Sequence, residues 1–305
     1  MTGWIDKRAL WIAFLVAPAF LILLTFVVYP LVNALAYAFF DWQSTVRGDF
    51  VFLDNFRDIL FKEPFATWTR QAFTHNVIVF VSLMVIQNGL GFLLAYALWR
   101  NLPGARFHRI AVFLPVVLST IIVGFLWKLF MHPLFGLVNQ TLRAVGLGML
   151  AMPWLGDSKT ALGALIVTNA WHWIGFPTLI FLAGMQRIPG EIMDAARMDR
   201  DNEWSIITRI VWPLIAPSAT IVFILTFIGS FNWFELPYIM AGIDGSPFGN
   251  TDVLGLYFYR MAFGNQSAGT TDFGHGSALA VLTFLFIAVV ATFWTIRLRR
   301  REIEI

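Results

Sequence analysis

Six stretches of this chain are each long and apolar enough to cross a lipid bilayer. A bilayer core of about 30 Å needs roughly 20 apolar residues in a helix. Such runs extend from Leu10 to about Leu35, and over about Val77–Trp99, Ile110–Phe130, Leu162–Met185, Leu214–Phe234 and Ala278–Ile296. Composition agrees, with 58% hydrophobic and only 13% charged residues. An ordinary soluble domain has about 25% charged residues, so this chain cannot cover a water-facing surface around one core. The same figures exclude intrinsic disorder. The absence of cysteine excludes a disulfide scaffold and leaves the redox compartment open. A net charge of +3 is too small to argue for nucleic acid. The expectation is an all-α, polytopic membrane protein with six transmembrane helices.

The first run could be taken for a signal peptide, since Ala34-Leu35-Ala36 carries small residues at suitable spacing. Its apolar stretch is about twice the usual signal core, so an uncleaved anchor is expected. Lys and Arg placement sets the direction of the spans. One side holds Lys7, Arg8, Arg100, Arg106, Arg109, Arg187, Arg197, Arg200, Arg209, Arg297, Arg299, Arg300 and Arg301. The other holds Arg47, Arg57, Lys62, Arg70, Arg143, Lys159 and Arg260, spread over longer loops. Lys128, near the outer end of the third span, can snorkel. This distribution predicts both termini in the cytoplasm, with external loops near residues 41–75, 132–161 and 235–277.

No catalytic constellation stands out. Gly156-Asp157-Ser158-Lys159-Thr160 lacks the glycines of a phosphate loop and falls on the external side. His75, His108, His132, His172 and His275 do not pair at metal-ligand spacing. His172 lies inside a span, where a histidine is either functional or bonded to a neighbouring helix. There is no Gly-x-Ser-x-Gly motif and no pair of membrane carboxylates for an intramembrane hydrolase. No catalytic residue, metal site or bound cofactor is therefore expected, and ATP, if it drives this protein, must bind another polypeptide.

The most charged stretch joins the fourth and fifth spans, from Gln186 to Trp212. From Glu191 it reads as a short helix, with Ile192, Ala195 and Ala196 on one face and Asp194, Arg197 and Asp201 on another. Glu191 and Asp194 fall in the first turn, where they suit the helix dipole. An interfacial anchor would carry bulky apolar and basic residues. Ala195-Ala196 instead favours close approach to a protein partner.

Asp194-Ala195-Ala196, with Ile210 fourteen residues on and Pro213 three further, resembles the EAA loop of bacterial ABC importer permeases. Arg200 replaces the family's glycine and Trp212 its leucine. The resemblance covers nearly the whole chain. It includes Tyr29-Pro30, Phe39-Phe40-Asp41-Trp42, Leu53-Asp54-Asn55-Phe56, His75-Asn76, Phe113-Leu114-Pro115 and Trp173-Ile174-Gly175-Phe176-Pro177. Gly245-Ser246-Pro247 with Asn250-Thr251, then Tyr259-Arg260-Met261-Ala262-Phe263, is similar as well. Together these resemble the maltose-type carbohydrate permease family.

The resemblance implies a type I ABC importer permease fold, a single permease domain over residues 1–305, and a coupling loop at 187–212. It implies a second permease, an ATPase dimer carrying ATP and magnesium, and an external solute-binding protein as partners, in the bacterial inner membrane. Glu191, Asp194, Ala195, Ala196, Asp199 and Arg200 would meet the ATPase. By position in the motif, Trp171, Gly175, Thr178, Ser230, Asn232 and Trp233 would contact a small polar solute, a sugar. Gln87, Asn88, Asn169, His172 and Glu235 complete the polar inventory of the spans. Another polar solute, such as a glycerophosphate or polyol, is the nearest alternative. An ion-coupled secondary transporter would need an inverted repeat or a carboxylate relay, and Glu235 alone is not a relay.

Overall fold

The computed structural model describes residues 7–43, 46–100, 104–198, 202–264 and 271–299. All six apolar stretches are helical, but three of them are broken. Helices Leu10–Tyr37, Phe65–Trp99 and Phe273–Leu298 are continuous. The other three are bent pairs: Phe107–Val117 with Thr120–Phe130 (101°), Ala161–Trp173 with Gly175–Met185 (44°), and Glu203–Leu214 with Ala216–Phe231 (75°). Each pair is apolar enough to count as one span, which brings the total to six.

Proline accounts for most of these irregularities, because its ring removes an N–H and crowds the carbonyl four residues back. Pro115 lies inside the helix ending at Val117, and Leu118 then turns extended. Ser119 restarts the chain as a helix cap, its Oγ accepting from the Ile121 N–H at 3.3 Å. Pro177 follows the bend at Ile174, where the Thr178 hydroxyl donates to the Ile174 carbonyl at 2.8 Å. Two π-helical turns, Leu24–Val28 and Ile207–Val211, precede Pro30 and Pro213. In each, the carbonyl that the ring crowds (Phe26, Arg209) lies within the widened turn. The third π turn, Met84–Asn88, is followed by Gly89-Leu90-Gly91 and has no proline to explain it.

The chain divides into two compact units. The first comprises the segment up to Ala66 together with Met261–Leu282. Its polar centre is Asn55, whose Nδ2 donates to the carbonyls of Ala38 and Phe40, both at 2.9 Å. This holds an antiparallel ribbon, Phe40–Gln43 with Val46–Phe50, which the all-helical expectation does not include. Also in this unit, His275 stacks on Phe65 and bonds Asp272 at 2.5 Å. The apolar residues of Leu10–Tyr37 are almost all exposed.

The second unit, Thr67–Arg260 with the segment from Thr283, holds two buried clusters. One gathers Val79, Leu83, Met131, Leu165, Trp233 and Leu236. The other gathers Ala95, Leu98, Phe181, Met185, Met193 and Ala196 with Ile206 and Ile215. Packing of this kind, with bonds between polar side chains, is what holds helices together in lipid. Asn76, fully buried, is one such tie: its Nδ2 donates to the Ser230 carbonyl at 2.6 Å, and its Oδ1 accepts from the Leu254 N–H at 2.8 Å. Nearby, Asp252 forks to Arg260, whose Nη1 also donates to the Ile243 carbonyl at 3.0 Å. Burial pushes the Asp252 carboxyl up, and Arg260 opposes that rise.

Candidate functional site: a lined cavity and a helical loop

A cavity of about 570 Å³ opens among the second to fifth apolar stretches. Leu83 and Gln87 reach it from the helix Phe65–Trp99, and Thr120 from the restart of the third stretch. Asn169, Trp173, Phe176 and Pro177 flank the bend of the fourth. Thr226, Gly229 and Ser230 come from the last turns of Ala216–Phe231. The helix then stops, and Asn232-Trp233-Phe234 cross the cavity wall before Glu235–Ala241 resumes. Non-helical backbone is tolerated among membrane spans only where protein or a cavity surrounds it. The wall thus combines flat apolar faces with amides and hydroxyls. Among the described residues, Glu235 is its one acidic group and no Lys or Arg lines it.

The expected solute-contacting residues divide evenly. Ser230, Asn232 and Trp233 line the cavity. Trp171, Gly175 and Thr178 do not. Trp171 packs edge-on against Trp127 at 5.5 Å between ring centres. A Cβ on Gly175 would lie 2.6 Å from the Val112 carbonyl, so glycine is needed there for two helices to cross closely. Thr178 is fully buried and bonded to its own helix across the bend. Asn169, Trp173, Phe176 and Pro177 line the cavity instead; their spacing of four, three and one is a single helical face that continues through the bend, and Trp171, Gly175 and Thr178 share the opposite face. Among these, Asn169 was visible in sequence as a polar group within a span, and Trp173 and Phe176 stood in the quoted motif without being expected to contact solute.

His172 makes a bond to a neighbouring helix. It is 1% exposed, and its Nε2 lies 3.0 Å from the Leu118 carbonyl, which the break in the third stretch leaves without a helical partner. Asn88 likewise ties helices, donating to Thr226 Oγ1 at 2.9 Å. Among the described residues, no group of three His, Asp or Glu side chains could hold a metal ion.

The charged loop forms a helix over Gly190–Met198, in the place the sequence predicts. Its faces differ from the simple reading. Met193 and Ala196 are buried in the chain's own core, beside Ile188, Ile206 and Val211. Ile192 is half-buried, and Glu191, Asp194, Ala195 and Met198 are exposed. The two alanines therefore point apart: Ala196 seats the helix, and Ala195 belongs to its open surface. Asp199, Arg200 and Asp201 lie outside the described residues, as does the side chain of Arg197. Asn202 caps the next helix, its Oδ1 accepting from the Ser205 N–H at 2.7 Å. Glu203, in the first turn, accepts from Arg100 Nη2 at 2.7 Å and from the Tyr96 hydroxyl, tying the loop to the end of the second span.

Broken helices around a mixed apolar and polar cavity, with a helix seated on the span ends, are the architecture of a membrane-embedded solute permease. The comparisons with known proteins name its kind. The chain belongs to the family of binding-protein-dependent transport system inner membrane components, whose family model matches residues 87–303. It is 32% identical, over 87% of this chain and 88% of the relative, to the probable ABC transporter permease protein YurN of Bacillus subtilis. It is 29% identical, over 98% and 97%, to the probable starch degradation products transport system permease protein AmyD of Thermoanaerobacterium thermosulfurigenes. A chain in the crystal structure of a bacterial ABC transporter that imports the acidic polysaccharide alginate matches with a TM-score of 0.79. That match covers 96% of both chains at 22% identity, which shows a shared permease fold. The chain is an ABC importer permease, a transport component of the inner membrane rather than an enzyme.

Proposed function

We propose that this permease carries an uncharged saccharide through the cavity bounded by Gln87, Asn169, Trp173, Ser230 and Trp233. The carrying observation is the lining itself. Sugars offer apolar ring faces to Trp and Phe and hydroxyls to amides, and the cavity supplies both without any cation. Relatives point the same way: AmyD is named for starch degradation products, and a relative in Streptococcus mutans, 28% identical, is named a multiple sugar-binding transport system permease protein.

In this reading both termini and the Gly190–Met198 helix lie in the cytoplasm, following the Lys and Arg bias. A second permease completes the path, and an external solute-binding protein delivers the solute. The alginate importer has been crystallised with its periplasmic protein bound, which supports such a partner here. ATP and magnesium bind a separate ATPase dimer, and this chain holds no cofactor. The exposed surface of the coupling helix, with Glu191, Asp194 and Ala195, seats on the ATPase, and Asp199 and Arg200 continue it in sequence. Closure of the ATPase dimer pulls this helix, and the buried cluster joining Met193 and Ala196 to Leu98, Met185 and Ile215 carries the motion into three spans.

Proteoliposomes carrying the complete importer, offered neutral saccharides together with glycerol 3-phosphate, test the substrate class. ATP-dependent accumulation of a saccharide in the lumen is the expected result. Accumulation of glycerol 3-phosphate alone would replace this reading with its nearest alternative.

A further inference from the structure

The cavity contains one polar pair that neither the sequence motifs nor the relatives' names assign. Gln87 and Asn169 are 7% and 8% exposed, yet both side chains line the cavity. Asn169 Nδ2 donates to Gln87 Oε1 at 3.3 Å. An amide side chain has two N–H donors and a carbonyl oxygen that can accept twice. Their single mutual bond therefore leaves the Gln87 NH₂ and the Asn169 oxygen without a protein partner among the described residues. Turning both amides over exchanges the roles but still leaves one donor group and one acceptor facing the cavity. An amide left unpaired once a solute has displaced the cavity's water is costly, so a solute that pairs with both binds more tightly than one that does not.

Local structure singles out the same place. Gln87 sits in the π turn Met84–Asn88, the one such turn without a following proline to cause it. Turns of this kind are frequent at functional sites. Asn88, the next residue, is held by Thr226, which fixes the turn and leaves Gln87 to the cavity. Trp173 and Phe176 from the fourth stretch and Trp233 beyond the fifth line the same cavity.

We infer that Gln87 and Asn169 form a subsite that reads a pair of adjacent hydroxyls on an uncharged solute, one hydroxyl accepting and the other donating. It rests on the cavity being the path of a saccharide. The charge preference follows from the lining, where Glu235 would repel an anion and no basic side chain would attract one.

The test uses the complete importer in proteoliposomes, supplied with a mixture of neutral saccharides and then with monodeoxy derivatives of whichever sugar the wild type accumulates. Gln87→Leu and Asn169→Ala should raise the half-saturating concentration by about tenfold or more. Each should also lose discrimination against the derivative lacking the hydroxyl it reads, the two positions being adjacent on the sugar. Gln87→Glu keeps the size and the bond from Asn169 but removes the free donors, so it should show the same loss even if the leucine variant fails to assemble. A raised half-saturating concentration with discrimination intact would overturn the subsite, because a merely structural role moves both sugars equally. Unchanged kinetics in Gln87→Glu would overturn it too. Wild-type import of phosphorylated solutes alone would instead remove the saccharide reading on which it rests.

Discussion

His172 Nε2 and the Leu118 carbonyl oxygen lie 3.0 Å apart, joining the fourth apolar stretch to the break in the third. The break frees a carbonyl that lipid cannot satisfy, and a histidine from the neighbouring helix supplies the hydrogen. This relationship lets a 101° bend exist among membrane spans, and it places Thr120, at the restarted helix, on the cavity wall.

His172→Leu should therefore lower the melting temperature of the detergent-purified permease complex, by a loss of about 1–2 kcal/mol for the orphaned carbonyl. His172→Gln, which can still donate, should recover much of that loss. Equal melting temperatures for wild type and the leucine variant would show that the bond carries no weight.

Gly175 is a packing residue on this account. Gly175→Ala would place a Cβ 2.6 Å from the Val112 carbonyl, so the two helices must shift apart. The expected outcome is reduced thermal stability and less assembled protein in the membrane, with the preference among solutes unchanged. A changed preference at normal stability would return Gly175 to the solute site.

The two alanines of the Gly190–Met198 helix should separate cleanly. Ala195→Trp enlarges an exposed surface, so the chain should insert and melt normally but fail to copurify with the ATPase and fail to support uptake. Ala196→Trp overfills the buried cluster around Met193 and should destabilise the permease itself by about 1–3 kcal/mol. Normal uptake and normal ATPase copurification in Ala195→Trp would contradict the docking assignment.

Two ion pairs should differ in weight according to burial. The Asp252 side chain is 7% exposed, and Arg260→Met would strand its carboxylate, at a cost of about 3–5 kcal/mol. The Glu203 side chain is 57% exposed where it meets Arg100, so Glu203→Gln should cost under about 1 kcal/mol. Melting curves of the two variants compare them directly.

Sequence periodicity located every apolar stretch and the loop helix, because run length and charge clustering survive any packing. It could not show the breaks at Leu118, Ile174 and Ile215, which depend on how proline rings are answered by neighbours such as His172 and Thr178. Ser230, Asn232 and Trp233, carried over beyond the loop, reach the cavity, while Trp171, Gly175 and Thr178 lie on the face of the fourth stretch opposite Asn169, Trp173, Phe176 and Pro177. The motif residues Asn55 and Asn76 were readable as a pattern, but their work on carbonyls distant in sequence was visible only in the fold. The opposed burial of Ala195 and Ala196 likewise needed the tertiary neighbours of the loop.

The central claim is that this chain supplies a path and a partner ATPase supplies the energy. Solute uptake in proteoliposomes tests it most directly, comparing the complete importer given ATP with the same permeases lacking the ATPase under an imposed proton or sodium gradient. The account predicts accumulation that requires ATP, the ATPase and the external binding protein, and none from the gradient alone. Gradient-driven accumulation without the ATPase would contradict it.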